Sequence, residues 1–339
     1  MEIDDLGALW DRGFALMTKR PFRFSCQAFN APSAQAWREM ARRAEGRGYS
    51  TFHIADHYLG EGPALEPTNH PVQELAAIPA LATAAEATST INVGFRVLCT
   101  GYRPAPILVK EAMTIDFLSE GRLELGLGAG WMKAEFDAMG IPFPSPGTRI
   151  KRLEEVVQLA KASIRGDMLD INGEFVHAVG YRAAPPPPRG NIPIMIGGGA
   201  PRILGLAGRE ADIVSINLNN SKGIFDEASF ASSTADETRE KIGWIRDGAG
   251  SRFDEIELEI GMIFVVIDGD GQAEAENWAK VLGIPIGGLP DWPHAVVGSI
   301  DGICETLERR REEYGISYVC IPEHRSEAFA PVVARLSGK

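Results

Sequence analysis

Cysteine is scarce: four residues in 339, Cys26, Cys99, Cys304 and Cys320, lie far apart with no Cys-x-x-Cys pair. That spacing argues against a disulfide scaffold or a cysteine zinc site and fits a reducing, cytoplasmic compartment. No apolar run approaches the roughly 18 residues of a membrane span, so no membrane partner is expected. The start, Met1-Glu2-Ile3-Asp4-Asp5, is acidic, and no small-residue cleavage pattern follows it, which argues against a secretory signal. Basic charge is also short. Against 46 Asp and Glu stand 34 Lys and Arg, a net charge of −12. A nucleic-acid backbone would be repelled unless a local basic patch existed, and the densest cluster, Glu308-Arg309-Arg310-Arg311-Glu312-Glu313, is mixed in sign. No nucleic-acid partner is expected. There is no Gly-x-Ser-x-Gly elbow, and His70, His177, His294 and His324 lack metal-ligand spacing, so no metal site is expected.

What the chain does contain is a globular composition, 45% hydrophobic and 24% charged. Its length admits about two domains or one (β/α)₈ barrel of ~250 residues with insertions. The dominant pattern is a short apolar strand followed by an amphipathic helix. Strands are predicted over 22–26, 51–55, 91–98, 122–127, 192–196, 212–216, 256–267 and 317–321. Helices are predicted over 33–48, 72–87, 107–118, 148–164, 201–208, 234–247, 273–282, 300–314 and 326–336. Ser33 is the expected N-cap of the first helix, where Trp37, Met40, Ala41 and Ala44 recur at helical spacing. Several strands are apolar on both faces, as in covered parallel sheets. Eight units favour a closed (β/α)₈ TIM barrel with insertions after several strands over an open doubly wound sheet. The barrel is expected as one domain over 21–339. Residues 1–20 form an N-terminal extension in which Leu6, Leu9, Trp10, Phe14 and Met17 make an apolar stripe. Long connections at 58–71 and 216–234 follow strands, on the face where barrels place their active sites.

Four strings carry candidate chemistry. In Ile194-Met195-Ile196-Gly197-Gly198-Gly199-Ala200-Pro201-Arg202 a strand ends in three glycines and a helix begins. Bare backbone N–H groups, a helix N-terminus and Arg202 together make a phosphate cradle; a tight turn without a ligand is the alternative. In Leu125-Gly126-Leu127-Gly128-Ala129-Gly130-Trp131 the glycines echo a dinucleotide fingerprint. The acidic ribose partner about 20 residues on is missing, however. The turn reads instead as bare backbone for a planar ring with Trp131 as a wall, or as barrel packing. Asp56-His57 ends the second strand, where His57 could serve as a proton donor and a structural histidine is the alternative. Arg96, inside the apolar run Val93-Gly94-Phe95-Arg96-Val97-Leu98-Cys99, needs a buried partner.

Taken together, these strings resemble the bacterial luciferase-like monooxygenase superfamily, and within it the oxidoreductases that use the deazaflavin coenzyme F420. The likeness is carried by Phe22–Gln27, Ala55-Asp56-His57, Tyr102-Arg103-Pro104, the stretch from Leu118-Ser119-Glu120-Gly121-Arg122 to Gly128-Ala129-Gly130-Trp131, Ala134-Glu135-Phe136, Ile196-Gly197-Gly198-Gly199 and Val297-Gly298-Ser299. The resemblance implies a flavin-type ring at the C-terminal rim. It implies a non-prolyl cis peptide at Arg96-Val97, with the backbone of Arg96, Val97, Leu98 and Cys99 behind the ring. It further implies contacts from Asp56, Ala129, Gly130 and Trp131, a phosphate held by Gly198, Gly199, Ala200 and Arg202, and catalysis by His57. Two positions depart from the related sugar-phosphate dehydrogenases: Trp131 stands where they carry Glu, and Leu59-Gly60-Glu61 where they carry an aromatic residue. The expected activity is hydride transfer between coenzyme F420 and a small-molecule substrate, in a homodimer. The alternatives are an FMN-dependent monooxygenase on the same barrel and a non-catalytic flavin-binding protein.

Overall fold

The computed structural model describes residues 20–281 and 286–339, so the stripe expected over residues 6–17 lies outside the described residues. The strand–helix alternation closes into a ring. Its strands are β1 (Arg23–Ala28), β2 (Thr51–Ile54), β3 (Asn92–Phe95, resumed at Leu98–Cys99), β4 (Leu123–Gly128), β5 (Ile194–Gly198), β6 (Ile213–Ile216), β7 (Glu257–Gly261) and β8 (Ile316–Pro322). Every neighbouring pair is parallel. Arg23 of β1 lies beside Tyr318 of β8, and Val93 of β3 beside Leu123 of β4, so no edge remains open. The helices covering the ring are α1 (Ala34–Gly46), α2 (Ala77–Ala87), α3 (Ala105–Leu118), α4 (Pro146–Ile164), α5 (Pro201–Glu210), α6 (Ala235–Ala249), α7 (Ile300–Tyr314) and α8 (Ser326–Leu336). The expected (β/α)₈ barrel is therefore the fold.

Local chemistry explains where the helices begin. Ser33 caps α1 by accepting from the Ala36 N–H at 3.1 Å, and Trp37, Ala41 and Ala44 are buried against the ring. The helix expected over 72–87 starts late, at Ala77. The preceding backbone is claimed by side chains: Asn30 binds the Val72 carbonyl and the Glu74 N–H, and Gln73 donates to the Ala55 and Leu75 carbonyls.

Alternate strand residues point inward. The floor of the ring is polar: Glu124 accepts from Arg23, from the Thr51 hydroxyl at 3.0 Å and from the Tyr318 hydroxyl at 2.9 Å, and Arg23 also forks onto Glu257. Above it Met195, Ile213 and Tyr318 fill the lumen.

Two predicted strands are corrected: the strand expected over 91–98 is broken between Phe95 and Leu98. Residues 256–267 do not form a single strand. After β7 the Met262 N–H bonds the Cys320 carbonyl, while the Ile263 N–H turns to the His294 carbonyl. The chain leaves the ring there, and Phe264–Ile267 pairs in parallel with Ala295–Gly298, a strand the sequence reading lacks. An antiparallel ribbon of Met168–Asn172 with His177–Arg182 was likewise unforeseen. The β7 excursion meets the loop after β6 in a second apolar cluster that includes Leu218, Phe230, Phe264, Val266, Trp292 and Ala295.

Candidate active site

A cavity of about 720 Å³ opens at the C-terminal ends of the strands. Its back is the break in β3. The Arg96–Val97 peptide is cis, at the position the resemblance implied. Gly126 and Gly128 make room for this break. A Cβ on Gly126 would sit 1.8 Å from the Phe95 carbonyl oxygen, and one on Gly128 2.6 Å from Val97 Cγ2. These two glycines thus serve the packing of β4 on β3. The buried charge of Arg96 finds its partners here: its guanidinium donates to Glu259 at 3.0 Å, to Gln27 at 3.0 Å and to Asn217 at 3.3 Å. Burial opposes that charge, but Glu259 more than offsets it and holds the arginine above its usual range.

Asp56 and His57 follow β2 into the cavity. Both Asp56 oxygens are engaged: Arg103 binds them in a fork at 2.9 Å, and the Cys99 N–H donates to Oδ2 at 2.9 Å. Asp56 therefore pins the resumed end of β3. His57 Nδ1 lies 2.9 Å from Glu135 Oε2. Glu135 belongs to a short helix, Lys133–Ala138, and is fully buried. Burial opposes its ionisation, yet donors from His57, the Tyr102 hydroxyl and the Tyr58 N–H overcome it and hold the carboxyl below its usual range. An ionised carboxylate accepts, so the Nδ1 of His57 carries the proton and Nε2 is the nitrogen left for a ligand.

The far end of the cavity suits an anion. Gly198, Gly199 and Ala200 line it beside Pro146, Arg149 and Ile150, so the N-termini of α4 and α5 converge there. A Cβ on Gly199 would lie 2.3 Å from the Leu218 carbonyl oxygen, which explains glycine at that position by packing alone. Arg149 donates to the Gly130 carbonyl at 3.1 Å and the Pro144 carbonyl at 2.6 Å. Among the described residues neither Arg149 nor Arg202 has a carboxylate partner. Arg202 is exposed beside Gly147.

An aromatic group closes the side. His70 sits 4.1 Å from His57 between ring centroids and 5.8 Å from Phe225, and Trp131 lies 4.9 Å from Phe225. The two loops carrying them are tied together: Asn69 donates to the Phe225 carbonyl at 2.9 Å and the Phe225 N–H to the Thr68 carbonyl at 3.0 Å. Cys99 and Cys320 also line the cavity, and burial pushes both thiols up to about 12, so neither supplies a thiolate at neutral pH.

The cavity thus gathers Asp56, His57, Arg96, Val97, Cys99, Ala129, Gly130, Trp131, Gly198, Gly199 and Ala200. Leu98 turns into the apolar core outside it, and Arg202 stands at its edge without lining it. Sequence reasoning gave no role to Glu135, Arg149, His70 or His294. Glu135 meets His57 across 78 residues of chain. The resemblance took in Ala134-Glu135-Phe136 but gave the acid no role.

Residues 17–314 match the profile of the luciferase-like monooxygenase family. An F420-dependent glucose-6-phosphate dehydrogenase of Amycolatopsis mediterranei is 30% identical over 175 residues, 51% of this chain and 50% of that protein. The chain spans about half the length of that curated relative. The structure of a coenzyme F420 dependent tetrahydromethanopterin reductase from Methanopyrus kandleri superposes with a TM-score of 0.73 at 21% identity, covering 94% of this chain and 100% of that one. A riboflavin lyase solved with modified FMN and riboflavin gives 0.73 at 14% identity, covering 93% and 91%. By its profile match over most of its length, the chain belongs to the luciferase-like monooxygenase family.

Proposed function

We propose that this protein transfers a hydride between coenzyme F420 and a small organic substrate held in the same rim cavity. The observation that carries this reading is the meeting of three features in one space: His57 backed by Glu135, the Val97, Cys99, Ala129 and Gly130 lining at the β3 break, and the N-terminal ends of α4 and α5. The F420-dependent relative supports the choice of coenzyme. The residues fit such a group. The cavity volume lies in the range of small-molecule sites, and Arg149 and Arg202 are cations without carboxylates where an anionic tail would end. When bound, the deazaflavin supplies the two-electron hydride chemistry.

This chain's own residues do the rest. Val97, Cys99, Ala129 and Gly130 present a surface on which a planar ring would rest. Gly198, Gly199, Ala200, Arg149 and Arg202 would hold its anionic tail. His57 gives or takes the substrate proton at Nε2, while Glu135 keeps the other nitrogen protonated and the ring in one orientation. Trp131, His70 and Phe225 exclude water from the reacting centre. Asp56 keeps the end of β3 in place through Arg103 and the Cys99 N–H.

Fluorescence titration with F420 and with FMN, side by side and with oxygen consumption followed, tests the reading. Saturable F420 binding that is tighter than FMN binding, with turnover indifferent to oxygen, is the expected result. Tighter FMN binding with oxygen-dependent turnover would replace it by the monooxygenase reading.

A further inference from the structure

A hydrogen bond at one atom does not by itself fix the plane of a ring. His57 is tied to Glu135 at Nδ1, 2.9 Å away, and such a bond tolerates a swing of roughly 30° before it weakens. A second restraint comes from the loop after β2. The His70 ring sits 4.1 Å from that of His57 between centroids, with 46° between the planes, and Trp131 meets His57 edge-on at 5.9 Å.

His70 is itself braced. Its ring stacks on Phe225 at 5.8 Å and 14°, and meets Phe29 edge-on at 5.9 Å. Its Nδ1 lies 2.8 Å from the Pro71 carbonyl oxygen, which only accepts, so Nδ1 carries the proton. The flanking backbone is fixed as well: Asn69, at a φ of 55°, donates to the Phe225 carbonyl, and Asn30 donates to the Val72 carbonyl at 2.7 Å. Burial, with His57 adding like-charge repulsion, holds the His70 imidazole well below its usual range, so the ring is neutral. A neutral ring does not oppose a proton gained by its neighbour, whereas a second cation at that distance would.

We propose that His70 is a positioning residue for His57: its braced ring fixes the plane of the His57 imidazole while Glu135 holds Nδ1, so that Nε2 keeps one position for proton exchange with the substrate. This rests on the hydride-transfer reading for why a substrate proton is exchanged there. A misplacement of about 1 Å at a reacting group costs roughly 10²-fold in rate, so a His57 ring free to swing should turn over about tenfold more slowly.

The first readout needs no coenzyme. In protein labelled with ¹⁵N in histidine, the Nδ1–H of His57, assigned by its loss in His57→Gln, is expected to give a sharp, slowly exchanging resonance. His70→Leu fills much the same volume without a flat face, and His70→Asn keeps a donor for the Pro71 carbonyl without the ring; both should broaden that resonance. His70→Phe restores a flat ring and should restore the sharp signal. The second readout is turnover of reduced F420 with menadione as the hydride acceptor. His70→Leu and His70→Asn should lower kcat about tenfold, with KM for menadione and F420 affinity little changed, and His70→Phe should recover it to within about threefold. A His70→Leu that keeps both the sharp resonance and the wild-type kcat overturns the proposal and leaves His70 as a filler of the wall. A His70→Phe as impaired as His70→Leu overturns it too, because the imidazole itself is then required. A resonance that broadens while kcat holds, or one already broad in the wild type, does the same. If His70→Leu does not fold, His70→Asn decides. Should the wild-type protein bind no F420, the hydride reading fails by itself, and the resonance in the unloaded protein still decides whether His70 fixes the His57 ring.

Discussion

Glu135 sits fully buried with four donors around it, and this shapes what His57 can do. On the proposed reading, replacing His57 by Ala removes the group that would meet the substrate proton and leaves Gly198, Gly199, Ala200 and Arg149 untouched. Turnover should fall about 10²-fold or more with F420 affinity retained; stopped-flow turnover and fluorescence titration measure the two halves. Glu135→Gln keeps the shape and removes the charge, so the imidazole loses the partner that fixes its tautomer. A fall in kcat with KM little changed is expected. The sign of the pH effect follows from a carboxyl held below its usual range. Its stabilisation is present above the unfolded value of about 4.3 and is lost as pH falls through the lower folded value. The Tm gap between wild type and Glu135→Gln should therefore be widest near neutrality and close in acid. A gap that stays constant across that range would assign the effect to packing.

Strands and helices were legible because burial on two faces and helical spacing are local properties. Each of the eight ring strands and covering helices overlaps a predicted range, although the bounds of 72–87, 91–98 and 256–267 shift. The element the reading stretched too far, 256–267, is continuous in hydrophobicity. It breaks because of bonds to Cys320 and His294, which are distant in sequence. The site was legible in part for the same reason. Glycines and a strand-end Asp-His mark the rim, whereas the Glu135–His57 pair depends on how two loops meet. For the glycines both readings offered by the sequence stay open, and the structure adds a packing reason: Gly126, Gly128 and Gly199 each answer a neighbour in the protein. Gly126→Ala tests this within one strand. Its Cβ meets immovable backbone, and a loss of about 3 kcal/mol is expected. Gly243→Ala, inside α6 with nothing within 4 Å of the added carbon, should instead stabilise by about 0.5–1 kcal/mol. Urea midpoints compare the two, and similar values would remove the packing argument.

At the scale of the whole ring, the polar floor binds four strands together. Glu124 of β4 gathers Arg23 of β1, Thr51 of β2 and Tyr318 of β8, and Arg23 stacks on the Tyr318 ring at 3.6 Å. Burial opposes the Glu124 charge, but Arg23 and His53 overcome it, so the carboxyl is held far below its usual range. Truncation leaves buried donors without an acceptor. Glu124→Ala should lose about 3–5 kcal/mol in urea denaturation, though the residue lies at the opposite end from the cavity. A loss under about 1 kcal/mol would mean that water replaces the carboxylate there. The rim is organised differently. The Phe230, Phe264 and Trp292 cluster gives the outer wall an interior of its own, separate from that of the ring. Such a wall can be recut as a unit: grafting other versions of 217–233 together with 262–298 would change which molecules are admitted while the polar floor and the break in β3 stay unaltered. Diversification on this scaffold then needs matched changes in two distant stretches of the chain, and single-stretch chimeras should be the ones that fail.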